Sequence, residues 1–117
     1  MMLWSVTCAI CAREVPRYSD FHAQQKARGI KVPGVSLDGY AQQGTIQQTM
    51  QQWNIRFPTL FADLSPFASY YQRETGEQLL GTPTFLVYRP DGRMVANNRG
   101  LMRISALFDY IARQSRE

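Results

Sequence analysis

The stretch LWSVTCAICAREVP, Leu3 to Pro16, holds both cysteines of this 117-residue chain, Cys8 and Cys11, where an apolar run meets a helical pattern. The placement matters more than the motif. A thiol at a helix N-terminus feels unsatisfied backbone N–H groups and the positive end of the macrodipole, and both favour thiolate over thiol. The thiolate is the form that attacks a disulfide, and a second sulfur one turn on can reach back to close a small ring. Ala9 and Ile10, between the cysteines, bring no charge and no hydrogen-bonding side chain. The pair reads as a redox-active dithiol. Stapling is a poor alternative, because a bridge across so short a loop hardly constrains the unfolded chain.

Composition narrows the rest. A chain of 117 residues with 44% hydrophobic content fits one domain over residues 1–117, whereas two would each be marginal. No apolar run approaches the ~18 residues of a membrane span. Met1 to Val6 is too short for a signal peptide and lacks a charged leader, so it reads as a strand, with any upstream export signal or anchor out of view. The net charge is +4, and the arginines are scattered from Arg13 to Arg116 without a basic run or an aromatic-interleaved patch. A nucleic-acid surface would show clustering, so a solvated basic surface is expected. Zinc would need about four ligands, and two sulfurs with the single histidine, His22, fall short. No metal or cofactor is expected, and His22 is placed on a helix surface.

The elements follow from periodicity. Thr7 offers a helix cap, and Cys8 to Arg28 is helical, with Val15, Tyr18 and Phe21 on one face and Pro16 inside. Residues 30–37 (IKVPGVSL) form an apolar strand interrupted by Pro33. Thr45 to Trp53 is a glutamine-rich helix with Ile46, Met50 and Trp53 on one side. Residues 57–62 form a short strand, and a helix over 63–75 opens near Ser65-Pro66. TPTFLVY, 82–88, is the strongest strand, and Pro90-Asp91-Gly92 turns it back antiparallel over 93–97. Ile104, Leu107, Phe108 and Ile111 mark a final amphipathic helix. The crossovers between the first three strands are long enough to make them parallel, giving an α/β sheet with helices on both faces.

Taken together, Trp4 with CAIC, the CxxCxxExP run (Cys8, Cys11, Glu14, Pro16), VSLD at 35–38, FPTLFAD at 57–63 and GTPTFLVYRPDGR at 81–93 resemble the thioredoxin superfamily. Within it the chain is similar to the TlpA/ResA-like bacterial thiol–disulfide oxidoreductases over nearly its whole length. The resemblance implies a mixed five-stranded sheet in the order 57–62, 30–37, 2–7, 83–89, 93–98. It also implies an exposed nucleophile at Cys8, a buried resolving thiol at Cys11, a cis-proline at Pro83, and an acidic residue, Glu14, that tunes the cysteines. Thr82, Pro83, Ala9, Ile10 and Trp4 would line the substrate side, although Trp4 also suits core packing. Protein thiols and disulfides are the implied substrates of a monomer fed by an upstream thiol partner, with a membrane electron donor as one candidate. The implied compartment is the bacterial periplasm or another extracytoplasmic space, with tethering through an upstream segment. Two departures stand out: Thr7 replaces the usual aromatic residue before the first cysteine, and the Ala-Ile dipeptide contains no proline.

Alternatives stay open from sequence. Glu14 reads either as the proton acceptor for Cys11, one turn away, or as an exposed acid complementing the helix dipole. The scaffold serves a reductase, an oxidase or isomerase, or a peptide-binding module without turnover. A peroxiredoxin is a further alternative, since Ser5 lies three residues before Cys8, but the accompanying proline is missing.

Overall fold

Met2–Trp4, strand β1, is three apolar residues without solvent exposure, as expected of a strand covered on both faces. It lies at the centre of the computed structural model, which describes residues 1–99. Around it the chain runs through α1 (Ala9–Lys26), β2 (Gly34–Ser36), a 3₁₀ turn at Tyr40–Gln42, α2 (Gln43–Gln52), β3 (Thr59–Phe61), α3 (Leu64–Thr75), β4 (Thr84–Tyr88) and β5 (Met94–Arg99). The five strands form one mixed sheet in the order β3-β2-β1-β4-β5. β1, β2 and β3 are mutually parallel, β4 is antiparallel to β1, and β5 returns antiparallel on β4. This is the topology expected from the sequence, and the fold is thioredoxin-like.

The strands are shorter than the apolar runs that announced them. Pro33 has no N–H with which to extend β2, and its carbonyl accepts from both Met2 N–H (3.1 Å) and the Tyr18 hydroxyl (2.8 Å). β1 ends at Trp4 because the next two residues turn to a side chain, Asp38, rather than to a neighbouring strand. The final helix expected over 104–111 lies outside the described residues.

Alternation along the strands divides the core in two. Met2, Trp4 and Phe85 point to one face, where Cys11, Val15, Tyr18 and Phe21 of α1 cover them beside Ile46 of α2 and Phe57. Leu3, Val35 and Leu86 point to the other, beneath Tyr71 and Phe67 of α3. Helices therefore cover both faces. The α1 residues recur at helical spacing, and this single stripe holds the helix against the centre of the sheet. His22, expected on the surface, is instead partly buried, because it follows Phe21 at the edge of that stripe; its Nδ1 has no hydrogen-bond partner among the described residues. α1 closes as expected: Gly29 takes φ +74°, and Ile30 N–H donates back to the Gln25 carbonyl at 3.1 Å.

Two outcomes follow from this packing. A Cβ on Gly34 would sit 2.5 Å from the Phe57 ring and 3.2 Å from Trp4 Nε1, so Gly34→Ala is expected to cost about 1–3 kcal/mol. A urea titration checks this as a lowered midpoint with unchanged slope. Burial pushes the Tyr18 phenol well above its ordinary value of 10.0, against a smaller opposing effect of its backbone hydrogen bonding. The neutral phenol is thus favoured in the folded state, and its contribution holds below pH 10 and is lost as pH rises beyond that. Alkaline unfolding should be less steep in pH for Tyr18→Phe than for the parent chain.

Candidate active site

Where β1 leaves the sheet, Ser5, Val6 and Thr7 form the turn that delivers Cys8 to the mouth of α1. Cys8 N–H donates to the Ser5 carbonyl at 3.1 Å, and the Cys8 carbonyl accepts the first helical bond, from Ala12 N–H, also at 3.1 Å. Cys8 is the N-cap residue, with extended dihedrals (φ −94°, ψ 102°), and its own sulfur accepts from Cys11 N–H at 3.1 Å. Sequence reasoning assigned the cap to Thr7. The structure corrects this by one residue, because the Thr7 side chain is tied back to Ser5 at 3.1 Å. The sulfur thus takes the place of the capping oxygen, with a helix N-terminal donor directed at it.

The two sulfurs are bonded as a disulfide, with the Cα atoms 5.2 Å apart. Their environments differ sharply. Cys8 is half-buried beside exposed Ala9 and half-buried Ile10, while Cys11 has no exposure and belongs to the core under α1. Facing Cys8 is the segment that precedes β4. The Thr82–Pro83 peptide is cis, Pro83 is buried, and the Thr82 carbonyl oxygen lies 3.6 Å from Cys8 Sγ. The loop is held locally by Thr84 Oγ1, which donates to the Gly81 carbonyl at 2.7 Å.

Not every residue singled out from sequence lies at this mouth. Trp4, read from sequence both as core packing and as a substrate-side residue, has no exposed surface and packs at 5.5 Å between ring centroids against Trp53, so it is a core residue beneath the site. It lies on the α1 face because its neighbour Leu3 faces α3. Glu14 lies beyond the first turn of α1, its side chain only 13% exposed and 3.9 Å from Arg17. An exposed acid complementing the dipole does not fit that position. One feature escaped sequence reasoning altogether. Asp38 accepts from Ser5 Oγ (2.7 Å), Ser36 Oγ (2.7 Å) and Val6 N–H (3.1 Å), tying the end of β2 to the turn before Cys8. The motif VSLD contains it, but no spacing within the chain says that residues 5 and 38 meet.

A dithiol at a helix mouth, opposite a cis-proline loop on this sheet, defines a thioredoxin-like dithiol protein. The chain belongs to the AhpC/TSA family, whose model matches residues 1–97. Among characterised relatives it is similar to the thiol-disulfide oxidoreductase ResA of Oceanobacillus iheyensis, 23% identical over 108 residues. That match covers 92% of this chain but 52% of ResA, so the chain spans about half the length of the curated relative it matches. Among solved structures, a Chlorobium tepidum protein regarded as a thiol:disulfide interchange protein DsbE superposes with a TM-score of 0.78 at 23% identity, covering 95% of this chain and 74% of the other. A secreted Mycobacterium tuberculosis disulfide oxidoreductase, homologous to DsbE of E. coli, superposes at 0.67 and 23% identity, covering 95% and 77%. These structural likenesses establish the fold.

The unequal burial of the sulfurs has a direct consequence. In the reduced protein, iodoacetamide should alkylate Cys8 at least about tenfold faster than Cys11, because reactivity follows exposure and thiolate character. Peptide mapping after timed quenching measures the ratio, and equal rates would contradict the burial described.

Proposed function

We propose that this chain, as a single thioredoxin-like domain over residues 1–117, is a ResA-like thiol–disulfide oxidoreductase that reduces protein disulfides. The observation that carries the reading is the position of Cys8 Sγ. It is partly exposed, 3.1 Å from the Cys11 N–H and 3.6 Å from the Thr82 carbonyl, with its partner sulfur sealed behind it. In the reduced protein the helix-mouth donor favours the Cys8 thiolate. The thiolate attacks one sulfur of a substrate disulfide; a Cys8–substrate bond forms, and the other substrate sulfur leaves as a thiolate that takes up a proton. Cys11, losing its proton toward Glu14, then attacks Cys8 Sγ. The mixed disulfide breaks, and the second substrate thiolate is released and protonated. The substrate has gained two electrons and two protons, and the protein is left as the Cys8–Cys11 disulfide.

A dithiol protein upstream must return those electrons. Thr82, Pro83, Ala9 and Ile10 surround the exposed sulfur and would receive the extended substrate segment, with the Thr82 backbone free of the β4 ladder, which begins at Thr84. The low exposure of Glu14 supports its role as proton acceptor rather than surface acid. An extracytoplasmic location agrees with the secreted relative and with a dithiol that meets oxidised substrates. No helix among the described residues is long and apolar enough to cross a membrane.

Cys8→Ser should reduce insulin disulfides no faster than the uncatalysed background, whereas Cys11→Ser should accumulate a mixed disulfide visible by mass spectrometry. Wild-type protein that binds extended peptides without turnover, with binding undiminished in Cys8→Ser, would point to a binding module. An equilibrium with glutathione placing the dithiol among strong oxidants would exclude the reductase direction.

A further inference from the structure

We infer that Asp38 is a positioning residue for the Cys8 nucleophile, holding the sulfur on the Cys11 N–H through a directed hydrogen-bond relay across Ser5 and Thr7. The inference rests on the dithiol chemistry proposed above and adds to it a residue thirty positions away in sequence.

The direction of the relay follows from proton counting. A carboxylate only accepts hydrogen bonds, so the Ser5 hydroxyl, 2.7 Å from Asp38 Oδ1, spends its single proton there. Thr7 Oγ1 lies 3.1 Å from Ser5 Oγ and must therefore be the donor in that contact, while Thr7 N–H reaches the same oxygen at 3.3 Å. Ser5 Oγ is then saturated, with one proton given and two accepted. Asp38 Oδ2 receives Val6 N–H and Ser36 Oγ–H. All three residues of the turn are thus held by the carboxylate, directly or through Ser5, and the Ser5 carbonyl receives Cys8 N–H.

The pairing of β1 with β2 ends at Trp4, whose carbonyl takes Leu37 N–H at 3.0 Å. Asp38 itself is fixed from behind: its backbone bridges to Asp63, Gly39 N–H donates to the Ala62 carbonyl, and Tyr40 N–H donates to Asp63 Oδ1. The carboxylate is a fixed post, and the turn hangs from it. Because Cys8 is the N-cap and its dihedrals are not helical, α1 alone does not hold its side chain. A frayed turn would let Sγ swing off the Cys11 N–H, and the thiolate would lose its nearest donor.

Positioning and charge make opposite demands. If Asp38 acted through its negative charge, removing it would favour the Cys8 thiolate. If it acts through the relay, removing it disfavours the thiolate, and an amide that keeps the bonds restores it. The experiment compares wild-type, Asp38→Ala, Asp38→Asn and Ser5→Ala full-length chains, each fully reduced. It follows Cys8 alkylation by iodoacetamide from pH 5 to 10 and the dithiol equilibrium with glutathione. Asp38→Ala should move the alkylation profile up by about one pH unit, lowering the rate at neutral pH about tenfold with an unchanged alkaline plateau. The glutathione equilibrium should shift several-fold toward the protein disulfide. Asp38→Asn should stay within about threefold of wild type, since its amide oxygen can accept from Val6 and Ser36 while its NH₂ donates to Ser5 Oγ, whose own proton then turns to Thr7 Oγ1.

Ser5→Ala cuts the relay while leaving Asp38 its other two donors; a shift in the same direction supports the inference even if Asp38→Ala fails to fold. Profiles for Asp38→Ala and Ser5→Ala that superimpose on wild type, with only thermal stability lowered, would overturn it. Faster alkylation in both Asp38 variants would overturn it in favour of a charge effect. Since these readouts concern only the protein's own thiols, a wild type that fails to reduce insulin would sink the proposed activity and leave the Asp38 result intact.

Discussion

A helix must satisfy the N–H groups of its first turn, and α1 does so with sulfur. Cys8 Sγ accepts the Cys11 N–H at 3.1 Å in the place where serine, threonine or aspartate would ordinarily present oxygen. A neutral sulfur is a weak acceptor, so the cap contributes less than the typical ~1 kcal/mol of an oxygen cap. As a thiolate the same atom becomes a charged acceptor, and the bond strengthens. One contact therefore links the start of the helix to the ionisation of the nucleophile. The neighbouring features serve to keep that contact in place: the turn before it, the buried partner behind it and the loop in front of it.

The contrast between the two sulfurs is a consequence of helix periodicity. Cys11 lies on the same stripe as Val15, Tyr18 and Phe21, which α1 presses onto Met2, Trp4 and Phe85 of the sheet. Cys8, three residues earlier and at the cap, stays at the rim. A chain that needed one accessible and one protected thiol obtains both by starting an amphipathic helix between them. The cis Thr82–Pro83 segment then completes the mouth from the opposite side, at the head of β4, which is paired with β1.

The departures from the family pattern also acquire a physical setting. Thr7 stands where the resemblance implied an aromatic residue, and its hydroxyl and N–H both turn to Ser5. A side chain without a hydroxyl there would lose the bond to Ser5 Oγ. Trp4 instead supplies the aromatic bulk from below, tilted against Trp53 and wholly out of solvent. The fold is shared with longer chains, of which this one covers 74% in the Chlorobium tepidum structure and 52% in ResA, so likeness in the core goes further than likeness in overall length.

Local chemistry is what the amino-acid order determined. The CxxC spacing at a helix start, the apolar stripe through Val15, Tyr18 and Phe21, the glycine after Arg28 and the Pro-Asp-Gly turn each rest on contacts a few residues apart, and they appear where their patterns say. The strand order followed too, because crossover lengths and the family motifs leave few topologies. Burial and distant contacts were decided only in three dimensions. Trp4 reads as a surface aromatic or a core one until the alternation of β1 assigns it a face; His22 and Glu14 likewise depend on how deeply α1 settles. Asp38 was invisible as a partner of Ser5 because a carboxylate finds its donors through space, and only the parallel pairing of β1 with β2 brings the ends of those strands side by side.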